Sequence, residues 1–182
     1  MIETDWHHAP LHRFVPGAVY MITGATLDKT HYFRNAPALS LFQNHLLEGF
    51  AQAGWTPQAW ACLSNHYHLI AQAPDEGDLS ATLRRVHTRI GHALNKRDQV
   101  KGRRVMYQFW DRCISYDSSY YARLHYVISN PVRHGLVKDA KCYPYCSAAW
   151  FERHNRSSFC RRVYSYRCDT VKEPDEFEVV WE

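Results

Sequence analysis

The chain has 182 residues and a formal net charge of +4, enough for one folded domain with a hydrophobic core and a short appendage. No apolar run approaches the roughly 20 residues that span a bilayer, and the first ten residues lack the apolar stretch of a secretory signal, so a cytoplasmic protein without membrane contact is expected. Six cysteines at irregular spacings are expected as reduced thiols in such a chain.

Pro16 and Gly17 precede a stretch rich in strand formers, which predicts a first strand over residues 18–26. Asn35 and Pro37 open a helix with the apolar stripe Leu39, Phe42, Leu46 and Phe50, ending near Gly54. Two strand-like runs, 60–63 and 66–73, flank Ser64 and Asn65 as a hairpin. After the loop 74–77, a second helix capped near Asp78 or Ser80 buries Leu79, Leu83, Val86, Ile90 and Leu94. A fourth strand is expected over 108–115 and a third helix over 118–130, stopped by Pro131. The order β-α-β-β-α-β-α is the split βαβ pattern of a ferredoxin-like α+β sandwich, with an antiparallel sheet and helices on one face. From about Lys138 the pattern weakens, so the chain divides into a domain over 1–150 and an irregular C-terminal extension with an acidic tail over 151–182.

Charge is unevenly spread. Arg84, Arg85, Arg89, Lys96, Arg97, Lys101, Arg103 and Arg104 lie in one span with a single acid, Asp98. Toward the end Asp169, Glu173, Asp175, Glu176, Glu178 and Glu182 face only Lys172. A basic middle and an acidic end fit a body that binds a polyanion and a tail that is solvated or competes for the same surface. The plain alternative is a soluble helix face.

Within the hairpin stand His66 and His68. Alternate residues of a strand point the same way, about 7 Å apart, so both imidazoles share one face, as chelation of one divalent ion requires. Twelve histidines yield about 0.8 such pairs by chance, so the pair needs a second segment to converge on it. On the third helix, at about 100° per residue, Tyr120, Leu124, Val127 and Ile128 form the core side. Tyr126 and Asn130 lie together on the opposite side with Ser119 and Ala122. That directs a phenol and an amide at whatever lies over that side, unless Tyr126 is a surface tyrosine and Asn130-Pro131 a helix stop.

Three blocks in order, N-H-Y-H-L-I at 65–70, Y-Q-F-W-D-R at 107–112 and Y-V-I-S-N-P-V-R-H-G-L-V at 126–137, resemble the REP-associated tyrosine transposases, which are single-tyrosine HUH transposases of the insertion-sequence type. The resemblance runs from about residue 15 to 150. It implies a ferredoxin-like fold and a metal-dependent endonuclease and strand transferase for single-stranded DNA, with imperfect palindromic hairpins beside a short guide tetranucleotide as substrates. It places His66 and His68 as the metal-binding histidines, Tyr126 as the nucleophile and Asn130 where a third metal ligand stands, a position that holds glutamine in related enzymes. His125 is left unassigned. Cys62-Leu63-Ser64 departs from the more usual Met-Pro, which affects the hairpin bend and not the chemistry.

Two imidazoles and an amide oxygen suit Mn²⁺ on ligand softness, whereas abundance favours Mg²⁺. Single-stranded or hairpin DNA is the expected partner, with the eight basic residues between Arg84 and Arg104 as phosphate contacts. Trp55, Trp60, Tyr107 and Trp110 are either core or base-stacking groups. Both a monomer and a homodimer that shares active sites remain open. The alternatives are a hairpin nucleic-acid binder without cleavage, or a zinc protein. Cys142, Cys146, Cys160 and Cys168 match zinc knuckles poorly in spacing, and the pair His66 and His68 is followed by Leu69 and Ile70 where a metallohydrolase would place acids.

Overall fold

The computed structural model describes residues 14–175 and 177–182. The N-terminal stretch read as lacking a signal, and Glu176 of the acidic run, lie outside the described residues.

The elements are β1 (Val19–Thr26), α1 (Ala36–Gln52), β2 (Thr56–Cys62), β3 (His66–Gln72), α2 (Leu79–Asp98), β4 (Met106–Ile114), α3 (Asp117–Arg133), α4 (Ala148–His154) and α5 (Ser157–Ser165). The four strands form one antiparallel sheet in the order β2-β3-β1-β4. This is the ferredoxin-like α+β arrangement that the element order predicts, except that the helices are not all on one face: α3 packs opposite α1 and α2. The caps follow the expected chemistry. Asn35 accepts the Ala38 amide of α1 at 3.1 Å, and Asp78 accepts the Ala81 amide of α2 at 3.0 Å.

Alternation along β3 sorts the sheet into two faces. Tyr67 turns toward α1 and α2, its ring edge-on to Phe42 and its hydroxyl 3.0 Å from His87 Nε2. Beneath that ring lies Gly24, where an added Cβ would stand 2.3 Å from Tyr67 Cε1. Only glycine fits there. The two helices of the split βαβ units thus cover one face, with Leu39, Phe42, Leu46, Phe50, Leu83 and Ile90 fully buried. His66 and His68 point to the other face, and α3 packs over its β2–β3 half.

Three details differ from the sequence reading. Helix α3 continues through Pro131 to Arg133. Pro131 is buried, and its carbonyl accepts the Leu136 amide at 2.9 Å in a cap closed by Gly135 at φ +69°. Packing and capping together offset the missing N–H and hold one further turn. Tyr126 and Asn130 do lie away from the Leu124–Ile128 side, yet both are buried, because β3 and the tail close over them. The C-terminal extension is more regular than its pattern suggests: α4 and α5 precede the irregular backbone that begins at Tyr166. Phe151, Cys160 and Val163 anchor them in the core.

Among the described residues no helix is long and apolar enough to cross a membrane. All six cysteines are free thiols, and Cys142, Cys146, Cys160 and Cys168 do not gather as a metal-ligand group among the described residues. Trp55 and Trp60 are core residues, whereas Tyr107 is exposed.

Candidate active site

The site begins with register. Thr23, His68 and Trp110 stand in one cross-strand row, and Ala25, His66 and Gln108 in the next. His68 Nδ1 lies 2.8 Å from Thr23 Oγ1, and His66 Nδ1 lies 2.8 Å from Asn65 Oδ1. The Asn65 amide cannot be turned round, since its Nδ2 donates to two carbonyls, Lys29 O at 3.1 Å and Glu178 O at 2.9 Å. Asn65 Oδ1 is therefore an acceptor, and His66 carries its proton on Nδ1. Its Nε2 is left as a lone pair aimed into the site, the form a metal ion binds.

Helix α3 supplies the opposing wall. Tyr126, Asn130 and His134 fall at i, i+4 and i+8, one stripe along the helix and its C-cap. All five groups meet at one carboxylate, that of Asp175 in the tail. Its Oδ1 lies 3.0 Å from His66 Nε2, 3.0 Å from His68 Nε2 and 2.8 Å from His134 Nε2. Its Oδ2 accepts the Tyr126 hydroxyl and, at 3.0 Å, the Asn130 amide. His66, His68 and Asp175 form the one cluster of potential metal ligands found among the described residues.

Burial pushes the His66 imidazole down to about 3, against hydrogen bonding and attraction from Asp175 that act upward. Burial raises the Asp175 carboxyl, but hydrogen bonds from His134, His66 and His68 more than reverse this and hold it well below the usual carboxylate range. A neutral His66 that donates from Nδ1 to Asn65 Oδ1 cannot also donate to Asp175. Burial favours the neutral ring, with its proton on Nδ1 facing Asn65 Oδ1. Its Nε2 then faces a carboxylate oxygen at 3.0 Å, lone pair to lone pair, which a cation relieves. Asn130 points the same way: its Oδ1 is buried without a hydrogen-bond partner among the described residues, an acceptor that turning the amide would present to a cation. The residues present fit a divalent ion. Burial, and then the Asp175 carboxylate, raise the Tyr126 phenol well above its ordinary value, while the Arg133 guanidinium, 4.7 Å from the ring, acts downward.

Past α5 the tail straps this site. Glu173 lies 3.3 Å from Arg112 and 3.4 Å from Arg123. Phe177 packs against the His66 ring under Lys29, and the Val180 amide donates to Ser64 Oγ at 3.0 Å. A cleft of about 980 Å³ opens beside Tyr126, lined by Trp110, Arg112, Arg133 and the tail.

The structure thus brings His66, His68, Tyr126 and Asn130 together within one chain. It adds Asp175 and His134, which the sequence reading did not assign. His134 was within reach of pattern, one turn beyond Asn130. Asp175 was visible only as one acid in an acidic run.

The basic residues lie elsewhere. Arg84, Arg85, Arg89, Lys96 and Arg97 sit on α2, across the sheet from the histidines, and Lys101, Arg103 and Arg104 on the loop into β4. Asp98 pairs with Arg97 at 2.7 Å and with Arg103 at 2.6 Å, and Arg89 reaches Gln52 at 2.6 Å and Glu48 at 3.4 Å. Arg84, Arg103, Arg104 and Tyr107 line a groove of about 490 Å³ between α2 and β4. The loop joins the sheet where Met106 pairs with Thr26, at the His66 end.

The frame is a ferredoxin-like sandwich in which a tyrosine hydroxyl is held against paired imidazoles. No family model matches the chain. It is 30% identical over 88 residues to a REP-associated tyrosine transposase of Escherichia coli (strain K12), covering 48% of this chain and 50% of that one. The chain thus matches about half the length of that relative. A Haemophilus influenzae protein assigned by name to the same family is 26% identical over 148 residues, 74% of this chain and 81% of its own. A solved structure described as a REP-associated tyrosine transposase bound to a REP hairpin superposes with a TM-score of 0.65 at 20% identity, covering 95% of this chain and 97% of that one, which establishes a shared fold. The chain is a relative of the REP-associated tyrosine transposases, as its three sequence blocks predict.

Proposed function

We propose that this chain is a divalent-metal-dependent endonuclease and strand transferase for single-stranded DNA at palindromic hairpins, working through a 5′-phosphotyrosine at Tyr126. The observation that carries the reading is the set of contacts around Asp175. One carboxylate oxygen faces His66 and His68 Nε2, and the other takes the Tyr126 hydroxyl and the Asn130 amide. The Asp175 carboxylate fills the space between the imidazoles and the phenol, which supports a site that an ion on the histidine side and a scissile phosphate on the tyrosine side would share. A solved relative with a REP hairpin bound supports hairpin DNA as the partner.

In that position Tyr126 Oη attacks phosphorus and gives up its proton, the P–O3′ bond breaks, and the 3′-oxygen takes up a proton. The ester survives as phosphotyrosine, so a second 3′-hydroxyl can rejoin the strand without nucleotide hydrolysis. Bound Mg²⁺ or Mn²⁺ would supply Lewis-acid withdrawal of charge from a non-bridging oxygen. His66 and His68 would hold the ion through Nε2 and Asn130 through Oδ1. Asn65 and Thr23 fix the two rings, which limits reorganisation when substrate enters. Arg133, stacked on the Tyr126 ring, favours the phenolate as it forms. The α2–β4 groove offers Arg84 and Arg104 to the backbone and Tyr107 to a base.

A second reading, a hairpin-binding protein that does not cleave, is favoured by the place of Asp175, which must leave before a phosphate can enter. Labelled single-stranded and hairpin oligonucleotides, incubated with wild type and Tyr126→Phe in Mn²⁺ or EDTA, separate the two. Cleavage predicts a denaturant-resistant protein–DNA adduct only with the tyrosine and the metal. Tight binding without an adduct, also after removal of the tail carboxylate, would establish the second reading.

A further inference from the structure

We infer that His134 is a third imidazole ligand of the divalent ion, beside His66 and His68; this rests on the metal-dependent reading above and deepens it. Three ring nitrogens, one from each histidine, surround a single atom, Asp175 Oδ1, at 3.0, 3.0 and 2.8 Å. One carboxylate oxygen is a poor partner for three imidazoles, of which His66 presents a lone pair from Nε2. A point within 3.0 Å of three Nε2 atoms suits a cation, with metal–nitrogen bonds of about 2.1 Å reached by an inward movement of under about 1 Å.

The position of His134 is built rather than incidental. It is the C-cap of α3, one turn after Asn130 and two after Tyr126, and its side chain is only 11% exposed. Its backbone amide donates to Asn130 O at 3.0 Å, and Gly135 at φ +69° closes the cap behind it. The ring stands edge-on to His66 with centroids 5.4 Å apart. Pro131 would ordinarily end the helix before this residue, and the additional turn is what carries the imidazole to the site.

The competing role for His134 is to hold the tail by its bond to Asp175, so the test removes that bond first. Mn²⁺ binding by calorimetry is compared for full-length Asp175→Ala, Asp175→Ala with His134→Ala, and Asp175→Ala with His66→Ala. Cu²⁺ serves as a second probe, since pulsed EPR counts the imidazoles coupled to it. The inference expects one Mn²⁺ in Asp175→Ala, weakened about tenfold or more by His134→Ala, and a fall from three coupled imidazoles to two. His134→Asn, which keeps a polar cap, gives the same fall if the ring is the ligand and not a fold requirement. Unchanged affinity and nitrogen count in the His134 variants, with binding lost in His66→Ala, would overturn the third ligand while leaving the metal reading in place. No specific Mn²⁺ in Asp175→Ala would bring down both.

Discussion

Asn65 does more at this site than its place in a two-residue hairpin suggests. Its amide is locked by carbonyls of Lys29 and Glu178, and its oxygen sets the His66 tautomer. Asn65→Ala should weaken Mn²⁺ about 10- to 100-fold, as loss of a partner behind a metal ligand generally does, measured by calorimetry on a variant whose circular dichroism matches wild type. His87 gives a prediction away from the chemistry. Burial pushes its imidazole from 6.5 down to about 4, where it accepts the Tyr67 hydroxyl. The unfolded chain binds the proton first as pH falls, so this histidine's contribution is fully present above pH 6.5 and is lost progressively toward pH 4. Urea denaturation should show up to about 3 kcal/mol of that loss abolished in His87→Gln. The pairing of His66 with His68 was legible because strand periodicity is local. The role of Asn65 was not, because its partners lie 36 and 113 residues away.

At the scale of elements, α3 and the tail decide access. Periodicity places Tyr126 and Asn130 on one side of α3, but stopping that helix at Pro131 leaves out the turn that bears His134. Local rules register the cost of a proline and not the packing and cap that offset it. The tail is the larger surprise for a run of acids, whose composition alone suits solvent. Glu173 is tied to Arg112 and Arg123, Phe177 sits on His66, and Asp175 fills the position assigned to the phosphate. On the proposed function, closed tail and bound substrate exclude one another. Asp175→Ala should cleave labelled oligonucleotide about tenfold or more faster than wild type, since at least two charge-assisted hydrogen bonds no longer compete with DNA. A slower or unchanged rate would separate the tail from control of access.

Across the whole molecule, the sheet divides two jobs. The paired histidines and Tyr126 lie under α3 on one face, and the basic cluster runs along α2 on the other, meeting the site only at the end where the loop before β4 joins the sheet. DNA engaging both must pass round that edge. Charge-neutral substitution of Arg84, Arg85 and Lys96 should lower the salt dependence of single-stranded DNA binding by up to about 0.7 per lost phosphate contact. Substituting Arg97 or Arg103, already paired with Asp98, should change it less and cost some stability instead. Fluorescence anisotropy titrations over a range of salt measure both effects.

The sequence by itself determined the alternation that builds the sheet, the stripes and caps of α1 and α2, and hence the α+β frame, because those signals act between residues a few positions apart. It also carried the three blocks by which the chain is known for a relative of the REP-associated tyrosine transposases. Only the tertiary structure decided that an acid from the tail, a histidine beyond a helix proline and a hairpin asparagine would meet at one point. Their long-range contacts span from 36 to 113 residues of chain, and no local preference encodes such a meeting.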